Sequence, residues 1–242
     1  MSADSLVRSA SRDVTVGLAL TVGPLAASVS VGNVAALALY LAVAALAVAG
    51  LDFHRPQLEF GWANRVTLLR AVMTCALAGA AIDGELGVRG MWIATAIAAL
   101  ALALDGVDGW LARRFGTSSP YGARFDMEVD AFSIVVLTAL LWRHDKVGAW
   151  VLLAGALRYA FVAAGWLWPK LNAPLPPRER RRAICAILIA GLVAAMAPVV
   201  PSWLAASVAG AALALTVWSF AIDVVWLLRQ PIVGAPSTAS SA

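Results

Sequence analysis

The chain has 242 residues, of which 62% are hydrophobic and only 13% are charged, and its mean hydropathy is +0.83. These values exclude an ordinary soluble domain and indicate an integral membrane protein. The net charge of +4 would also suit a protein that binds nucleic acid. However, the basic residues follow the positive-inside pattern of membrane proteins, so we expect no nucleic-acid partner.

Apolar runs long enough to cross the hydrocarbon core of a membrane, about 20 residues each, recur along the chain. They predict eight transmembrane helices, over residues 14–31, 33–51, 64–82, 89–112, 126–142, 147–168, 183–199 and 203–227. The even number places both termini on the same side. A cleavable secretory signal is the alternative for the first run. Asp4 and Asp13 in its tail, and the second run that follows at once, favour a helical hairpin.

The order of these runs predicts four regions. Residues 1–51 form an N-terminal tail and a transmembrane hairpin, and residues 52–63, which mix aromatic and charged side chains, form a segment in the membrane interface. Residues 64–230 form a six-helix membrane domain that holds every candidate functional residue. Residues 231–242 form a small, polar, disordered tail.

The lysine and arginine residues set the orientation. With the N-terminus inside, the inner segments hold most of the 18 basic residues, whereas Arg89, Arg143 and Lys146 fall outside. We therefore expect a multi-pass protein of the cell inner (plasma) membrane whose acidic motif, described next, faces the cytoplasm. Cys75 and Cys185 are single residues inside predicted spans, and they predict neither a disulfide nor a metal site.

Two pairs of carboxylates stand at the end of the fourth predicted span and the start of the fifth. Asp105 and Asp108 are three residues apart and Asp126 and Asp130 are four apart, so each pair lies on one face of a helix. A solvated acidic helix end is the alternative, but acids at this depth of a membrane are costly without a function. Because the ligands are oxygens with no His or Cys nearby, they favour a hard divalent cation, Mg²⁺ or Mn²⁺.

These residues resemble the signature of the CDP-alcohol phosphatidyltransferase family, which reads DxxDGxxAR, eight residues, GxxxDxxxD, and every fixed position is met. Upstream, the stretch from Asn64 to Arg70 resembles the segment that opens the first core helix in many members, although Ala63 stands where a proline is common. The resemblance implies an all-α integral membrane protein with a six-helix CDP-alcohol phosphatidyltransferase core. The N-terminal two-helix hairpin is then an addition, giving about eight transmembrane helices.

The resemblance also implies an activity, a site and an assembly. Members transfer a phosphatidyl group from a CDP-linked lipid, CDP-diacylglycerol, to an alcohol and release CMP, a step of phospholipid biosynthesis. Two divalent ions, Mg²⁺ or Mn²⁺, would be held by Asp105, Asp108, Asp126 and Asp130, with Asp126 and Asp130 as the catalytic pair and Asp130 as the base. The nucleotide and its diphosphate would lie against Gly109, Ala112, Arg113, Gly122, Asn64 and Thr67. The resemblance further implies a homodimer.

The acceptor is less clearly encoded. Similarity to phosphatidylglycerophosphate synthases implies that an acceptor phosphate binds Arg158, Arg178, Arg181 and Arg182, which makes glycerol 3-phosphate the expected acceptor. A snorkelling or helix-paired side chain is the alternative for Arg158. Attraction to anionic lipid headgroups is the alternative for the basic run. We expect Asp223, near the end of the last span, to pair with a neighbouring helix.

Other functions stay open at this point. Within the family, the acceptor could be inositol phosphate, inositol, serine or phosphatidylglycerol, the last giving cardiolipin. A cation transporter is the alternative of another class, but the acids cluster at one membrane surface. A structural or lipid-binding relic of the family is a third possibility, and the intact set of four acids argues against it.

Overall fold

The computed structural model describes residues 3–27, 30–50, 60–84, 86–114, 119–173 and 179–229. Within these ranges all regular structure is helical, which confirms the all-α prediction. The eight α-helices are α1 (Ala3–Ala27), α2 (Val31–Ala49), α3 (Trp62–Asp83), α4 (Val88–Arg114), α5 (Pro120–Arg143), α6 (Leu152–Leu167), α7 (Glu179–Met196) and α8 (Ser202–Arg229). Short 3-10 helices, Ala149–Val151 and Pro169–Asn172, flank α6.

Each predicted span corresponds to one of these helices. In the described part of the chain, five segments are long and apolar enough to cross a membrane: Val31–Ala49, Trp62–Asp83, Val88–Val107, Ala149–Leu167 and Ser202–Arg229. The other three helices, α1, α5 and α7, are charged in their first halves. In α5 and α7 these charges belong to the acidic motif and to the basic run, so function lowers the hydropathy of these helices.

Two of the helices begin at serine caps. The Ser30 side chain accepts a hydrogen bond from the Asn33 amide at the start of α2, and the Ser119 side chain accepts one from the Gly122 amide at the start of α5, each at 3.0 Å. Such caps satisfy amides that the first helical turn leaves without partners. The second cap fixes where the helix that carries Asp126 and Asp130 begins.

The N-terminal hairpin packs against α3. Its two helices are joined by the Tyr40 hydroxyl, which donates to the Val14 carbonyl at 2.6 Å. Small residues let α2 approach α3 closely, since a Cβ atom on Gly79 would lie 2.6 Å from the Gly32 carbonyl oxygen. At the same end of α3, Asp83 accepts hydrogen bonds from the Gly32 amide and the Ser30 hydroxyl.

The remaining helices surround an apolar core that fills the space between α3, α4, α5, α7 and α8. Leu140, Leu192 and Met196 are fully buried there. At the edge of this core, the Lys146 ammonium group donates to three carbonyl oxygens just beyond α7, of Ala197, Pro198 and Val200. A positive charge just beyond the C-terminal end of a helix also interacts favourably with the helix dipole.

Polar contacts between helices gather at the opposite end of the bundle. The first half of α1 meets the start of α3 through the pair Asp13–Arg65, at 2.7 Å. The Tyr121 hydroxyl, at the start of α5, donates to the Ala47 carbonyl near the end of α2 at 2.7 Å. The acidic motif therefore lies at the end of the bundle where α1 begins, as the alternation of eight helices predicts.

Two predicted regions fall wholly or largely outside the described residues. Of the interfacial segment, 52–63, only residues 60–63 are described, and residues 231–242 of the predicted tail are not. Phe60 is 1% exposed and packs against Tyr121 and Phe125, with ring centroids 6.4 Å apart in each pair. This end of the segment is thus anchored in the protein at the start of α5.

Candidate active site

One face of α3 carries a line of buried polar residues that look toward α5. Asn64, Thr67, Arg70 and Thr74 are spaced by three or four residues, and each is at most 5% exposed. The Asn64 amide donates to the Phe60 carbonyl at 2.6 Å. At the same level, a Cβ atom on residue 122 would lie 2.8 Å from the Asn64 side-chain oxygen, so this contact requires Gly122. The structure thus brings together two residues that the sequence assigns to the nucleotide.

Three of the four predicted acids converge next to this face. Asp105 comes from α4, and Asp126 and Asp130 come from successive turns of α5. Carboxylate oxygens of the three lie within 4.8 Å of one another, and the side chains are 25%, 36% and 18% exposed. The acids are therefore close enough to share one cation and open enough to meet a ligand.

The other predicted residues of this motif are only partly described. Asp108, Gly109, Ala112 and Arg113 lie in the last turns of α4, which runs to Arg114. The side chains of Asp108, Ala112 and Arg113 are outside the described part of the structure. Their assignments as a metal ligand and as nucleotide-binding residues stay predictions.

Arg70 stands at the centre of the three acids. Its Nη1 atom donates to Asp126 Oδ1 at 2.6 Å, and its Nη2 atom contacts Asp105 Oδ1 at 2.8 Å and also pairs with Asp130 Oδ1. Its side chain is only 3% exposed. Sequence reasoning placed Arg70 in the opening segment of the core but not in the site. The spacing of Arg70 along the sequence could have indicated its place in the site, because it lies three residues after Thr67 and six after Asn64, on one face of α3.

Two further contacts complete the floor of the site. The Cys185 thiol of α7 lies 3.9 Å from Asp130 Oδ2, and the Thr74 hydroxyl lies 3.0 Å from the Ser133 hydroxyl. A cavity of about 20 Å³ beside Arg70 and Thr74 has room for no more than a water molecule. The partly exposed faces of the acids, and not this cavity, therefore offer room for a larger ligand.

Three of the four predicted acceptor residues lie in the described part of the structure. Arg182, at the start of α7, is exposed. Arg158 of α6 pairs with Glu128 on α5, with Nε 3.4 Å from Oε2. Arg181 lies 3.6 Å from Asp223 Oδ2, and Arg178 lies outside the described residues.

Asp223 has the structural role expected of it. It is 5% exposed, and Arg180 donates to its Oδ1 atom at 2.7 Å. Arg181 contacts its other oxygen. This cluster joins the start of α7 to the end of α8 and so holds the basic run beside the acidic motif.

The chemistry of the acids fits a divalent ion. Three carboxylates from two helices offer only oxygen atoms, which are the ligands that Mg²⁺ and Mn²⁺ prefer. Their second oxygens add capacity beyond the contacts to Arg70. Asp105, Asp126 and Asp130 are thus the described residues that would hold the ion.

Comparison with known proteins identifies the family. No solved structure matches the chain. The family model described as CDP-alcohol phosphatidyltransferase matches residues 60–226. This range includes the eight fixed positions of the motif, the helices from α3 to α7, and α8 up to residue 226. Families of this kind use a divalent metal, and the acidic triad described above lies within the match. The chain therefore belongs to the CDP-alcohol phosphatidyltransferase family, and it is a membrane transferase of phospholipid biosynthesis that transfers a phosphatidyl group from a CDP-alcohol.

Proposed function

We propose that the protein transfers the phosphatidyl group of CDP-diacylglycerol to glycerol 3-phosphate and releases CMP, using Mg²⁺ or Mn²⁺. The convergence of Asp105, Asp126 and Asp130 at the open end of the bundle is the observation that supports the reaction. Membership of a transferase family favours this enzyme over the cation transporter that the sequence left open.

In this proposal the acceptor hydroxyl attacks the phosphorus that bears the diacylglycerol. The bond from that phosphorus to the CMP phosphate oxygen breaks as the new ester bond forms, and CMP leaves. Asp130 accepts the proton of the hydroxyl, acting as general base. Bound divalent ions would neutralise the diphosphate and stabilise the departing CMP. Asp105, Asp108, Asp126 and Asp130 are the residues proposed to hold them.

The nucleotide is proposed to lie where α3, α4 and α5 meet. Asn64 and Gly122 are in contact there, and Gly122 leaves no side chain to block the approach of a ligand. Thr67, Gly109, Ala112 and Arg113 are the further residues assigned to it by the family signature. An arginine near the diphosphate would add a planar pair of donors.

The choice of a phosphorylated acceptor depends on basic side chains near the acids. Arg182 supports it most directly, because it is exposed at the start of α7, the helix whose Cys185 contacts Asp130. Arg158 faces Glu128, a residue of the same helix as Asp126 and Asp130. An acceptor phosphate would replace the carboxylate of Glu128 as the partner of Arg158. Arg178 and Arg181 are proposed to add positive charge at the entrance.

The proposal extends to the setting of the enzyme. We propose a homodimer in the cell inner (plasma) membrane, with the acidic end of the bundle facing the cytoplasm and surrounded by membrane lipids. Arg65, Arg182 and Arg229 all lie at that end of their helices, as the positive-inside pattern requires.

A panel of acceptors tests the proposed reaction. Purified protein is given CDP-diacylglycerol, Mg²⁺ or Mn²⁺, and in turn glycerol 3-phosphate, inositol phosphate, inositol, serine and phosphatidylglycerol, and both CMP and the mass of the lipid product are measured. The proposal predicts turnover with glycerol 3-phosphate and a product of phosphatidylglycerophosphate mass. Turnover with inositol phosphate, inositol, serine or phosphatidylglycerol, and none with glycerol 3-phosphate, would contradict the proposed acceptor but support the proposed reaction.

A further inference from the structure

Arg70 contacts the same carboxylates that are proposed to hold the metal. It reaches one oxygen, Oδ1, of each of Asp105, Asp126 and Asp130. These contacts come from two separate nitrogen atoms of one planar guanidinium group, a geometry that a lysine ammonium cannot reproduce. Arg70 therefore interacts with every described member of the proposed metal site at once.

The burial of Arg70 indicates whether its charge acts on the substrate or on the acids. With 3% of its side chain exposed, it lies on the protein side of the acids, while the acids themselves are 18% to 36% exposed. A residue that bound the substrate phosphate would need to be open on the side of the acids that the substrate approaches. Arg70 is thus placed to act on the acids rather than on the substrate.

The charge of Arg70 also weakens the attraction of the acids for a cation. With all three carboxylates ionised, the acids carry a charge of −3, and Arg70 reduces the total to −2. Attraction between a divalent ion and this group is weaker than attraction to the acids alone, and Arg70 and the ion compete for the same oxygens. At the same time, the guanidinium holds the three acids together against their mutual repulsion.

We propose that Arg70 is a positioning residue that shares the three carboxylates with the divalent ion and thereby limits the affinity of the site for that ion. This inference rests on the proposed function, because it requires that the acids bind a metal. α3 has no metal ligand among its described residues. In this inference it nevertheless controls, through Arg70, the metal affinity of the site and the geometry of the acids.

Metal binding by the Arg70→Gln variant tests this inference. Glutamine removes the charge but keeps an amide donor of similar polarity. Binding of Mn²⁺ to purified protein in detergent is measured by electron paramagnetic resonance, without substrate. We expect the variant to bind Mn²⁺ at least about tenfold more tightly than the unmodified protein, since one competing positive charge is gone. We also expect slower CMP release at saturating Mn²⁺, because the acids are no longer held in place.

Arg65→Gln is the matched control. Arg65 lies on the same helix, but it pairs with Asp13 and not with the acidic triad. We expect its Mn²⁺ affinity to be unchanged within a factor of about two. If both variants bound more tightly to the same extent, the effect would reflect the overall charge of this end of the protein, and the inference would be wrong.

A second variant covers the case in which Arg70→Gln does not fold. Arg70→Lys keeps the charge but has one ammonium group in place of two separated nitrogens, so it engages fewer of the three acids. We expect its Mn²⁺ affinity to lie between those of the unmodified protein and Arg70→Gln, about threefold above the former. Folded variants that bind Mn²⁺ no more tightly than the unmodified protein would overturn the inference. Absence of Mn²⁺ binding to the unmodified protein would instead overturn the metal site of the proposed function.

Discussion

At the scale of single residues, the site shows how a nearly buried arginine and three acids stabilise each other. An arginine that is 3% exposed would be costly without partners, and three adjacent carboxylates would repel one another without a cation. The contacts between Arg70 and the acids at positions 105, 126 and 130 offset both the cost of burying the arginine and the repulsion between the carboxylates. Removing the arginine alone leaves an uncompensated cluster of negative charge.

The pair Arg158–Glu128 leads to a prediction about acceptor recognition. If Arg158 binds the acceptor phosphate, Arg158→Ala raises the KM for glycerol 3-phosphate by about 10- to 100-fold, the usual cost of losing a hydrogen bond to a charged group. The KM for CDP-diacylglycerol should change little. Initial rates of CMP release over a range of each substrate measure both constants.

Glu128→Gln is the control for this pair. It removes the carboxylate that Arg158 contacts but leaves the arginine available for phosphate. We expect an unchanged or lower KM for glycerol 3-phosphate. An equal rise in KM for both variants would show that the pair has only a structural role.

At the scale of helices, the hairpin of α1 and α2 lies outside the family match yet contacts α3 along its length. Asp13 meets Arg65 near the site, and Asp83 meets Gly32 at the far end. The part of α3 between these contacts carries Arg70 and Thr67, the latter one of the residues proposed to bind the nucleotide. The hairpin therefore supports the helix on which the site depends.

Because α2 and α3 cross at close range, a single methyl group added at the crossing should lower the stability of the protein. We expect Gly79→Ala to lower the free energy of unfolding by about 1–3 kcal/mol, because the added Cβ atom would lie 2.6 Å from the Gly32 carbonyl oxygen. Thermal unfolding in detergent, followed by circular dichroism, measures the loss.

Gly23→Ala provides a matched comparison in α1. Among the described residues, no atom beyond its chain neighbours and the nearby backbone of its own helix lies within 4 Å of the position that its Cβ would occupy. Since alanine favours a helix over glycine by up to about 1 kcal/mol, this variant should be as stable as the unmodified protein or slightly more so. Equal losses for both variants would mean that the close approach of α2 and α3 does not limit stability.

At the scale of the whole molecule, the order of the helices and the distribution of charge predict its orientation. We expect Ser11→Cys, near the start of α1, to be protected from a membrane-impermeant maleimide in intact cells, and Ser202→Cys, at the start of α8, to be labelled. Both serines are exposed and lie at opposite ends of the bundle. Cys75 and Cys185 are replaced by alanine in both proteins to remove background labelling. The reverse pattern would place the acidic end outside the cell.

The sequence predicts where the helices lie, but it does not predict contacts that depend on how the helices pack. Apolar runs predicted the positions of the eight described helices, although only five segments are long and apolar enough to cross a membrane, and the spacing of Asp126 and Asp130 placed them on one helical face. The sequence did not predict the contacts of Arg70 with Asp126 and Asp130, because they depend on how α3 packs against α5 and join residues 56 and 60 positions apart. Nor did hydropathy show the contact of Cys185 with Asp130, which depends on where α7 docks.

The most direct test of the account is CMP release from CDP-diacylglycerol with glycerol 3-phosphate and Mn²⁺, measured for the unmodified protein and for Asp130→Asn. Asparagine has nearly the same shape as aspartate but cannot accept the proton of the acceptor hydroxyl. The account predicts steady CMP release by the unmodified protein and a loss of at least about 100-fold in the variant, whose thermal unfolding should still show a folded protein. A folded Asp130→Asn variant with the rate of the unmodified protein would contradict it.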